Sequence, residues 1–275
     1  MWKWLHPYAK TERSYQLCQS LLPWFSVLGL LTLIVGAIWG LAFAPADYQQ
    51  SDAFRIIYIH VPSAILSKML YTSMAIAAFI GLVWQVKTAF MAMIALAPIG
   101  AMVTFVSLIT GAVWGKPMWG TWWEWDARLT SQLILLFLFF GVMSLYKSFD
   151  DQQQAGKAAG VMAIVGVINL PIIHYSVEWW NTLHQGATIL KMDKPSMPPE
   201  MLWPLLLCIL SWALVSGAIF LLRLQNEIVR REIKRPWVIS MVNGTMANGA
   251  MANDAVDQQN ASTNDSHSTK QEQAQ

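Results

Sequence analysis

The stretch Ala92–Trp114, with the sequence AMIALAPIGAMVTFVSLITGAVW, decides the fold class. It contains no charged residue, and as an α-helix it is long enough to cross the ~30 Å hydrocarbon core of a bilayer. A helix is the expected conformation, because lipid offers no hydrogen-bond partners and a helix satisfies its backbone groups internally. The stretch therefore predicts a transmembrane helix.

Five further apolar stretches are long enough to span a bilayer, and four of them are also free of charge. The sequence therefore predicts an all-α integral membrane protein with six transmembrane helices. The five stretches are Leu21–Ala44, Ser63–Trp84, Leu129–Tyr146, Ala158–Ser176 and Met201–Leu222. The composition agrees, since 55% of the 275 residues are hydrophobic and only 12% are charged. A charged fraction about half the usual value excludes an ordinary soluble enzyme and a disordered chain.

The distribution of Lys and Arg predicts the orientation of these helices, because cytoplasmic loops carry the excess of positive charge. Eleven Lys and Arg residues flank one side of the six stretches, and six lie on or near the other side. Both termini are therefore predicted to face the cytoplasm. The loops 45–62, 115–128 and 177–200 then share the outer face, and their greater length indicates that function resides there.

The chain divides into a membrane domain, residues 1–235, and a polar tail, residues 243–275. The tail is rich in Asn, Gln, Ala, Ser and Asp, and it has no aromatic residue. Such a composition cannot bury a hydrophobic core, so the sequence predicts that the tail is disordered.

Missing motifs exclude several chemistries. The two cysteines, Cys18 and Cys208, lie far apart, and the sequence has no CxxC or CxxCH. A disulfide framework and a covalent c-type haem attachment site are therefore excluded. The sequence also has no HExxH and no GxxxxGK[ST], so it carries neither a zincin motif nor an ATP-binding P-loop.

Five tryptophans lie within twelve residues, in and beside the outer loop 115–128. They are Trp114, Trp119, Trp122, Trp123 and Trp125. Tryptophan favours membrane interfaces, so an aromatic belt is one explanation. A belt is spread around a protein and over both leaflets, whereas this cluster is confined to one loop, which indicates a binding surface. Indole rings suit a planar hydrophobic ligand or a quaternary cation.

The end of this loop has two interpretations. The pattern TWWE at residues 121–124 fits a capping box and predicts a short interfacial helix. Asp126 and Arg128 either contribute to binding or are structural, as an ion pair or as a cap for the fourth transmembrane helix. The sequence leaves both roles open.

Two histidines flank the tryptophan cluster on the predicted outer face: His60 near the second helix and His184 in the loop 177–200. Two imidazoles on either side of an aromatic surface indicate axial ligation of haem iron. Zinc fits less well, because catalytic zinc takes three protein ligands and no third His or Cys is near in sequence. His174, near the outer end of the fifth helix, is either another ligand or a hydrogen-bonded helix residue.

Arg55, Lys68 and Arg128 are three of the six cations on or near the predicted outer face. Haem carries two propionates, and arginine pairs bidentately with carboxylates, so Arg55 and Arg128 are the candidate propionate contacts. Lys68 lies just inside the second predicted helix, where charge is costly and indicates function. Snorkelling of its ammonium group to the interface explains it equally well.

The stretch Trp119–Ser131, WGTWWEWDARLTS, resembles the tryptophan-rich WWD motif of haem-handling proteins. Six transmembrane helices with one histidine on either side of that motif resemble the CcmC family, the haem-delivery proteins of bacterial cytochrome c maturation. The resemblance covers roughly residues 15–235, and the motif is highly specific. The polar tail is a departure that the resemblance does not explain.

The resemblance implies that His60 and His184 ligate a non-covalent b-type haem. It also implies that the loop from Trp119 to Asp126 holds the porphyrin at the periplasmic face of a bacterial inner membrane. An acceptor in the periplasm must then reach the vinyl edge of the haem. The implied acceptor is the haem chaperone CcmE. The other implied partners are the ABC transporter subunits CcmA and CcmB and the small single-span protein CcmD. The expected role is haem presentation and transfer, not catalysis.

Two other functions remain open. A transporter that moves haem through the membrane needs a polar path or discontinuous helices at mid-membrane depth. Five charge-free stretches argue against it, although Asn169 and Pro171 leave an opening. A b-type haem redox enzyme would place histidine ligands within facing helices, which would favour His174.

Reporter fusions test the predicted orientation. Alkaline phosphatase fused after residue 120 is expected to be active, because this enzyme needs disulfides that form only outside the cytoplasm. The same enzyme fused after residue 149 is expected to be inactive. The reverse pattern of phosphatase activity would contradict the orientation.

Overall fold

The computed structural model describes residues 10–180 and 197–244. Six segments in this part of the chain are helical, long and apolar enough to span a membrane. The prediction of an all-α membrane protein with six transmembrane helices is confirmed. The helices are α1 Thr11–Ile38, α2 Ile57–Trp84, α3 Lys87–Trp119, α4 Ala127–Lys147, α5 Gln152–Val165, α6 Asn169–Trp179 and α7 Pro199–Arg231.

Short irregular turns extend three of the spans. A π-helical turn, Trp39–Phe43, continues α1, and a 3-10 turn, Asp52–Ile56, leads into α2. A second 3-10 turn, Gly166–Ile168, joins α5 to α6. Helices α5 and α6 therefore form the fifth span together.

Particular residues mark several helix ends. The carboxylate of Asp126 accepts the backbone N–H of Leu129 at the start of α4, and the carboxylate of Asp151 accepts that of Gln153 at the start of α5. Such caps satisfy N–H groups that have no partner within the helix. Helix α3 ends where Gly120 adopts a φ of 77°, a left-handed conformation that glycine takes without steric cost.

The helices are longer than the apolar stretches that predicted them. Helix α3 continues to Trp119 and α4 begins at Ala127, so the predicted loop 115–128 was wrong at both ends, and the loop is residues 120–126. For the same reason His60 lies in the first turn of α2. Aromatic and polar residues occupy these extensions, and they sit at the membrane interface where hydropathy gives little signal.

Helices α2 to α5 form the core of the bundle. Helix α2 contacts α3 and α5, and α4 contacts the same two helices, so α2 and α4 face each other across the diagonal. One half of this core is apolar and includes an edge-to-face pair of the Tyr71 and Phe139 rings, whose centroids are 5.0 Å apart. Its fully buried side chains include Tyr71, Met74, Met93, Leu135, Phe139 and Val142.

The other half of the core is polar, and it lies toward the end of the bundle that contains His60, called here the His60 end. Its buried polar side chains include Ser63, Ser67, Thr104, Ser107, Ser131, Gln132, Asn169 and Ser176. Gln132 Nε2 donates to Ser67 Oγ at 3.0 Å, and Asn169 Nδ2 donates to the Ser131 carbonyl at 2.9 Å. These bonds take the place of water, because an unsatisfied polar group is costly in an apolar surrounding.

Helix α1 packs against α7 through glycines. Gly29 and Gly36 of α1 lie against Val215 and Cys208 of α7. Small residues let helices approach closely in membranes, where packing between helices drives association. Only 11% of the most apolar window of α1 is buried, so most of this helix faces away from the protein.

The fifth span is irregular near its middle. Pro171 has no N–H to donate to the preceding turn, and the 3-10 turn Gly166–Ile168 ends three residues before it in the chain. A Cβ at Gly166 would overlap the Tyr71 hydroxyl, so only glycine fits there. The fifth span therefore departs from regular α-helical geometry next to the buried Asn169.

A second unit of the chain comprises Val229–Gln275. Within it, Arg235 Nε donates to Glu232 Oε2 at 3.1 Å, and residues 236–244 are helical. The polar tail, predicted from residue 243, begins with the last two residues of this helix. The rest of the tail lies outside the described residues, so its disorder stays a prediction.

Replacement of Gly100 tests the packing of the apolar core. A Cβ at this position would overlap the Phe139 ring, so Gly100→Ala is expected to lower the free energy of unfolding by about 1–3 kcal/mol. Thermal unfolding in detergent measures the loss. The double variant with Phe139→Leu should recover part of the stability, because the smaller side chain leaves room for the methyl group. An unchanged melting temperature in Gly100→Ala would contradict the packing described.

Candidate functional site

His60 is held between α2 and α3. Its Nδ1 lies 3.1 Å from the Ser107 carbonyl and 3.1 Å from Thr110 Oγ1. A Cβ at Gly111 would approach the imidazole Cε1 to 3.0 Å, so the ring lies close to the α3 backbone. Three positions on one side of α3 therefore fix the orientation of this imidazole.

The partners of Nδ1 determine the tautomer of His60. A carbonyl only accepts hydrogen bonds, and the Thr110 hydroxyl donates its own hydrogen to the Val106 carbonyl at 2.7 Å. Nδ1 therefore carries the proton, and the lone pair of the ring lies on Nε2. Histidines that ligate metals have this arrangement, in which the second nitrogen donates to a protein acceptor and orients the ring.

Trp114 connects His60 to the chain that precedes α2. Its indole lies edge-to-face with His60 at a centroid distance of 5.6 Å and with Phe54 at 6.0 Å. Its Nε1 donates to Gln50 Oε1 at 2.9 Å. Trp114 is therefore half-buried beside the imidazole and is not part of the loop.

Residues 120–126 form no helical turn, so the short capped helix predicted for the TWWE pattern was wrong. The Thr121 hydroxyl donates to the Trp123 carbonyl at 2.8 Å and accepts the Trp123 N–H at 3.3 Å. Side-chain bonds of this kind compete with helix formation. The left-handed Gly120 turns the chain out of α3 just before this segment.

The non-helical segment presents two tryptophans outward and one inward. The exposed fractions of Trp122 and Trp125 are 57% and 74%. Trp123 packs against the core and lies edge-to-face with Trp125 at 5.4 Å. Its buried Nε1 has no hydrogen-bond acceptor among the described residues. Trp119 lies over Gly115 in the last turn of α3. We call residues 119–125 the tryptophan platform.

Asp126 is buried at the start of α4, where its Oδ1 accepts the Leu129 N–H at 2.7 Å. It also attracts the guanidinium of Arg128, which is half-buried in the first turn of α4. The structure thus gives Asp126 the capping role that the sequence left open. A direct contact of Asp126 with a ligand stays a prediction.

Arg55 is engaged by protein groups. Its Nε donates to Asp52 Oδ1 at 2.9 Å, and its Nη1 lies 3.1 Å from the Leu41 carbonyl and 3.4 Å from the Gly40 carbonyl. It therefore caps the π-helical turn at the end of α1, where carbonyls lack partners. Its predicted contact with a propionate stays a prediction.

His174 and His184 are the two other candidate haem ligands. His184 lies outside the described residues, so its predicted role as the second ligand stays a prediction. His174 is exposed on α6, edge-to-face with Tyr175 at 4.7 Å. Nearby, Tyr175 stacks on Trp179 at 5.2 Å, which makes a second aromatic surface at the His60 end. Among the described residues, no cluster of three His, Cys, Asp or Glu suits a metal ion.

Sequence reasoning missed the polar partners of the site. Ser107, Thr110 and Gln50 each bond to His60 or Trp114, and Gln132 bonds across the bundle to Ser67. Ser107 and Thr110 are three residues apart, so they share one side of α3. The sequence signal for these partners was a pair of small polar residues on one side of an otherwise apolar helix.

Comparison with known proteins identifies the family. The sequence model of CcmC, heme exporter protein C, matches residues 4–239. Heme exporter protein C of Haemophilus influenzae is 59% identical over 238 residues, which are 86% of this chain and 97% of the relative. The Escherichia coli K12 protein of the same name is 55% identical over 242 residues, 88% and 98% of the two chains. Heme exporter protein C of Bradyrhizobium diazoefficiens is 45% identical over 226 residues, which are 82% of this chain and 86% of the relative. The chain belongs to the CcmC family.

Membership of the CcmC family confirms the resemblance found in the sequence. The family match covers every residue of the candidate site, including His184, and ends before the polar tail. The tail therefore lies outside the part of the chain that the CcmC model matches.

Asp126→Ala tests the capping role in this CcmC protein. Loss of the cap at the start of α4 is expected to lower the free energy of unfolding by about 1 kcal/mol. Asp126→Asn should retain most of the stability, because the amide oxygen still accepts the Leu129 N–H. Thermal unfolding in detergent compares both with Glu124→Ala, an exposed neighbour that should change nothing. Equal melting temperatures for Asp126→Ala and the unaltered protein would contradict this role.

Proposed function

We propose that this protein binds haem at the outer face of the membrane and delivers it for cytochrome c maturation. The geometry of His60 carries the proposal. Both neighbours of its Nδ1 are acceptors, so Nε2 bears the lone pair that iron requires, and the ring is held before any ligand binds. Its position beside Trp114 and near the tryptophan platform suits a flat, apolar cargo.

Haem iron takes two axial ligands in many b-type sites, and we assign the second to His184. Neutral imidazole is a common haem ligand. The assignment rests on the sequence, in which His184 follows the aromatic pair Trp179 and Trp180. His174 is the weaker candidate, because it is exposed on α6 among the described residues and is not buried between helices.

The tryptophan platform supplies the apolar surroundings of the porphyrin. Trp122 and Trp125 expose large indole surfaces that have no cover within the described residues. Large exposed apolar surfaces are characteristic of binding sites. A site open on one side also lets a cargo leave, which a delivery protein requires and a permanent cofactor site does not.

The carboxylates of haem need cationic partners. Arg128 is half-buried at the start of α4, next to the platform in sequence, and its planar guanidinium matches a carboxylate. Arg55 is our second candidate, although Asp52 and two carbonyls already engage part of its guanidinium. We therefore assign Arg128 the larger share of propionate binding.

The family supports a role in haem handling, since the relatives carry the name heme exporter protein C. We propose that the chain lies in a bacterial inner membrane with the His60 end in the periplasm. We further propose that it hands non-covalent b-type haem to the chaperone CcmE, in association with CcmA, CcmB and CcmD. In this role it presents and transfers haem and does not act as an enzyme.

Haem spectroscopy of the purified full-length protein tests the proposal. The unaltered protein is expected to show a bis-histidine haem spectrum. That spectrum should be lost in His60→Ala and in His184→Ala, because each change removes one axial ligand. His174→Ala is the matched control and should retain it. Normal haem spectra in both ligand variants would contradict the assignment, and a colourless protein in the presence of abundant haem would contradict the function.

A further inference from the structure

Lys68 is a charged residue inside a membrane-spanning helix. It lies eleven residues after the start of α2, ~16 Å along the helix axis, and its side chain is half-buried. His60, Ala64 and Lys68 succeed one another at intervals of four residues, so Lys68 lies on the same side of α2 as His60, two turns deeper. Charge at such depth marks a functional position.

Lys68 of α2 and Arg128 of α4 lie beside a hydrogen bond that joins their two helices. Ser67 is the neighbour of Lys68, and Gln132 lies one turn after Arg128 on the same side of α4. Ser67 and Gln132 form the 3.0 Å hydrogen bond that crosses the bundle, so α2 and α4 meet at this level. The Lys68 and Arg128 cations are therefore near enough to repel each other.

The positive charges of Lys68 and Arg128 are not fully balanced by carboxylates among the described residues. Within the described residues Lys68 forms no salt bridge, and the neighbouring charge that acts on it is the like charge of Arg128. Asp126 attracts Arg128 but is also committed to capping α4. Two like charges in surroundings of low polarity repel each other strongly, and a bound anion would relieve that repulsion.

We propose that Lys68 and Arg128 form a carboxylate-binding subsite that takes the propionate edge of the porphyrin. This inference rests on the proposed function and adds Lys68 to the site. An ammonium group and a guanidinium offer separate donors, which suits the two propionates that haem carries on one edge. The subsite also explains why the cation of α2 lies on the side of the helix that bears His60.

The subsite defines how the porphyrin is oriented. Lys68 lies deeper in the membrane than His60, so a porphyrin held by both has its propionate edge toward the bundle interior. The vinyl groups lie on the other part of the ring and then point outward. This orientation leaves the vinyl edge accessible to an acceptor outside the membrane.

Metal-free protoporphyrin IX and its dimethyl ester test the subsite without iron ligation. The two probes differ only in the carboxylates, and quenching of tryptophan fluorescence reports binding to the full-length protein in phosphatidylcholine nanodiscs. The unaltered protein should bind the free acid about tenfold more tightly than the ester, since bonds to charged groups contribute on that order. Lys68→Met should lose most of this preference, and Lys68→Arg should retain it. The matched control is Lys147→Met, at the far end of α4, which should behave as the unaltered protein.

The preference for the free acid over the ester is the decisive measurement. The same preference in Lys68→Met as in the unaltered protein would overturn it, as would a lack of preference in the unaltered protein. Nanodiscs that contain phosphatidylglycerol distinguish a second anion. If this lipid abolishes the preference, the cations bind lipid phosphate and the proposal is wrong, whereas a persistent preference supports it. Because the probes lack iron, failure of histidine ligation appears only in the haem spectra and is distinguished from failure of the subsite.

Discussion

The hydrocarbon core of the membrane offers no hydrogen-bond partners, so most polar groups described inside the bundle bond to other groups of the protein. This constraint shapes the His60 end of the molecule. The bond from Gln132 to Ser67 crosses the bundle, and the bond from Asn169 to the Ser131 carbonyl joins the fifth span to α4. The same constraint gives His60 its acceptors on α3. A ligand site at this end therefore rests on side chains that already hold the helices together.

The six spans were predictable because hydropathy over a bilayer-length window is a strong signal. Their ends were not, because residues such as Trp119 lie at the interface and carry no such signal. The tryptophan platform was recognisable from composition, but the non-helical conformation of residues 120–125 was not. The Thr121 hydroxyl can cap a helix or bond to Trp123, and the left-handed turn at Gly120 that precedes it is a property of the folded chain.

The site shows a similar division between local and long-range interactions. The cap that Asp126 provides to α4 is local, so the sequence could offer it as one interpretation. The contacts of Arg55 with carbonyls at the end of α1 and of His60 with Ser107 join residues far apart in the chain. Periodicity within one helix does not reveal such pairs. Sequence reasoning therefore found the residues that carry chemistry and missed those that orient them.

The glycine contacts between α1 and α7 have a consequence for biosynthesis. Gly29 and Gly36 meet residues near Val215 and Cys208, more than 170 positions later in the chain. The first helix to enter the membrane thus reaches its partner only when the last one has been inserted. Until then α1 lacks this partner, and the charge-free stretch Leu21–Ile38 is compatible with surrounding lipid. Completion of the bundle is for this reason a late step of membrane insertion, and a truncated chain that lacks α7 leaves its first helix unassembled.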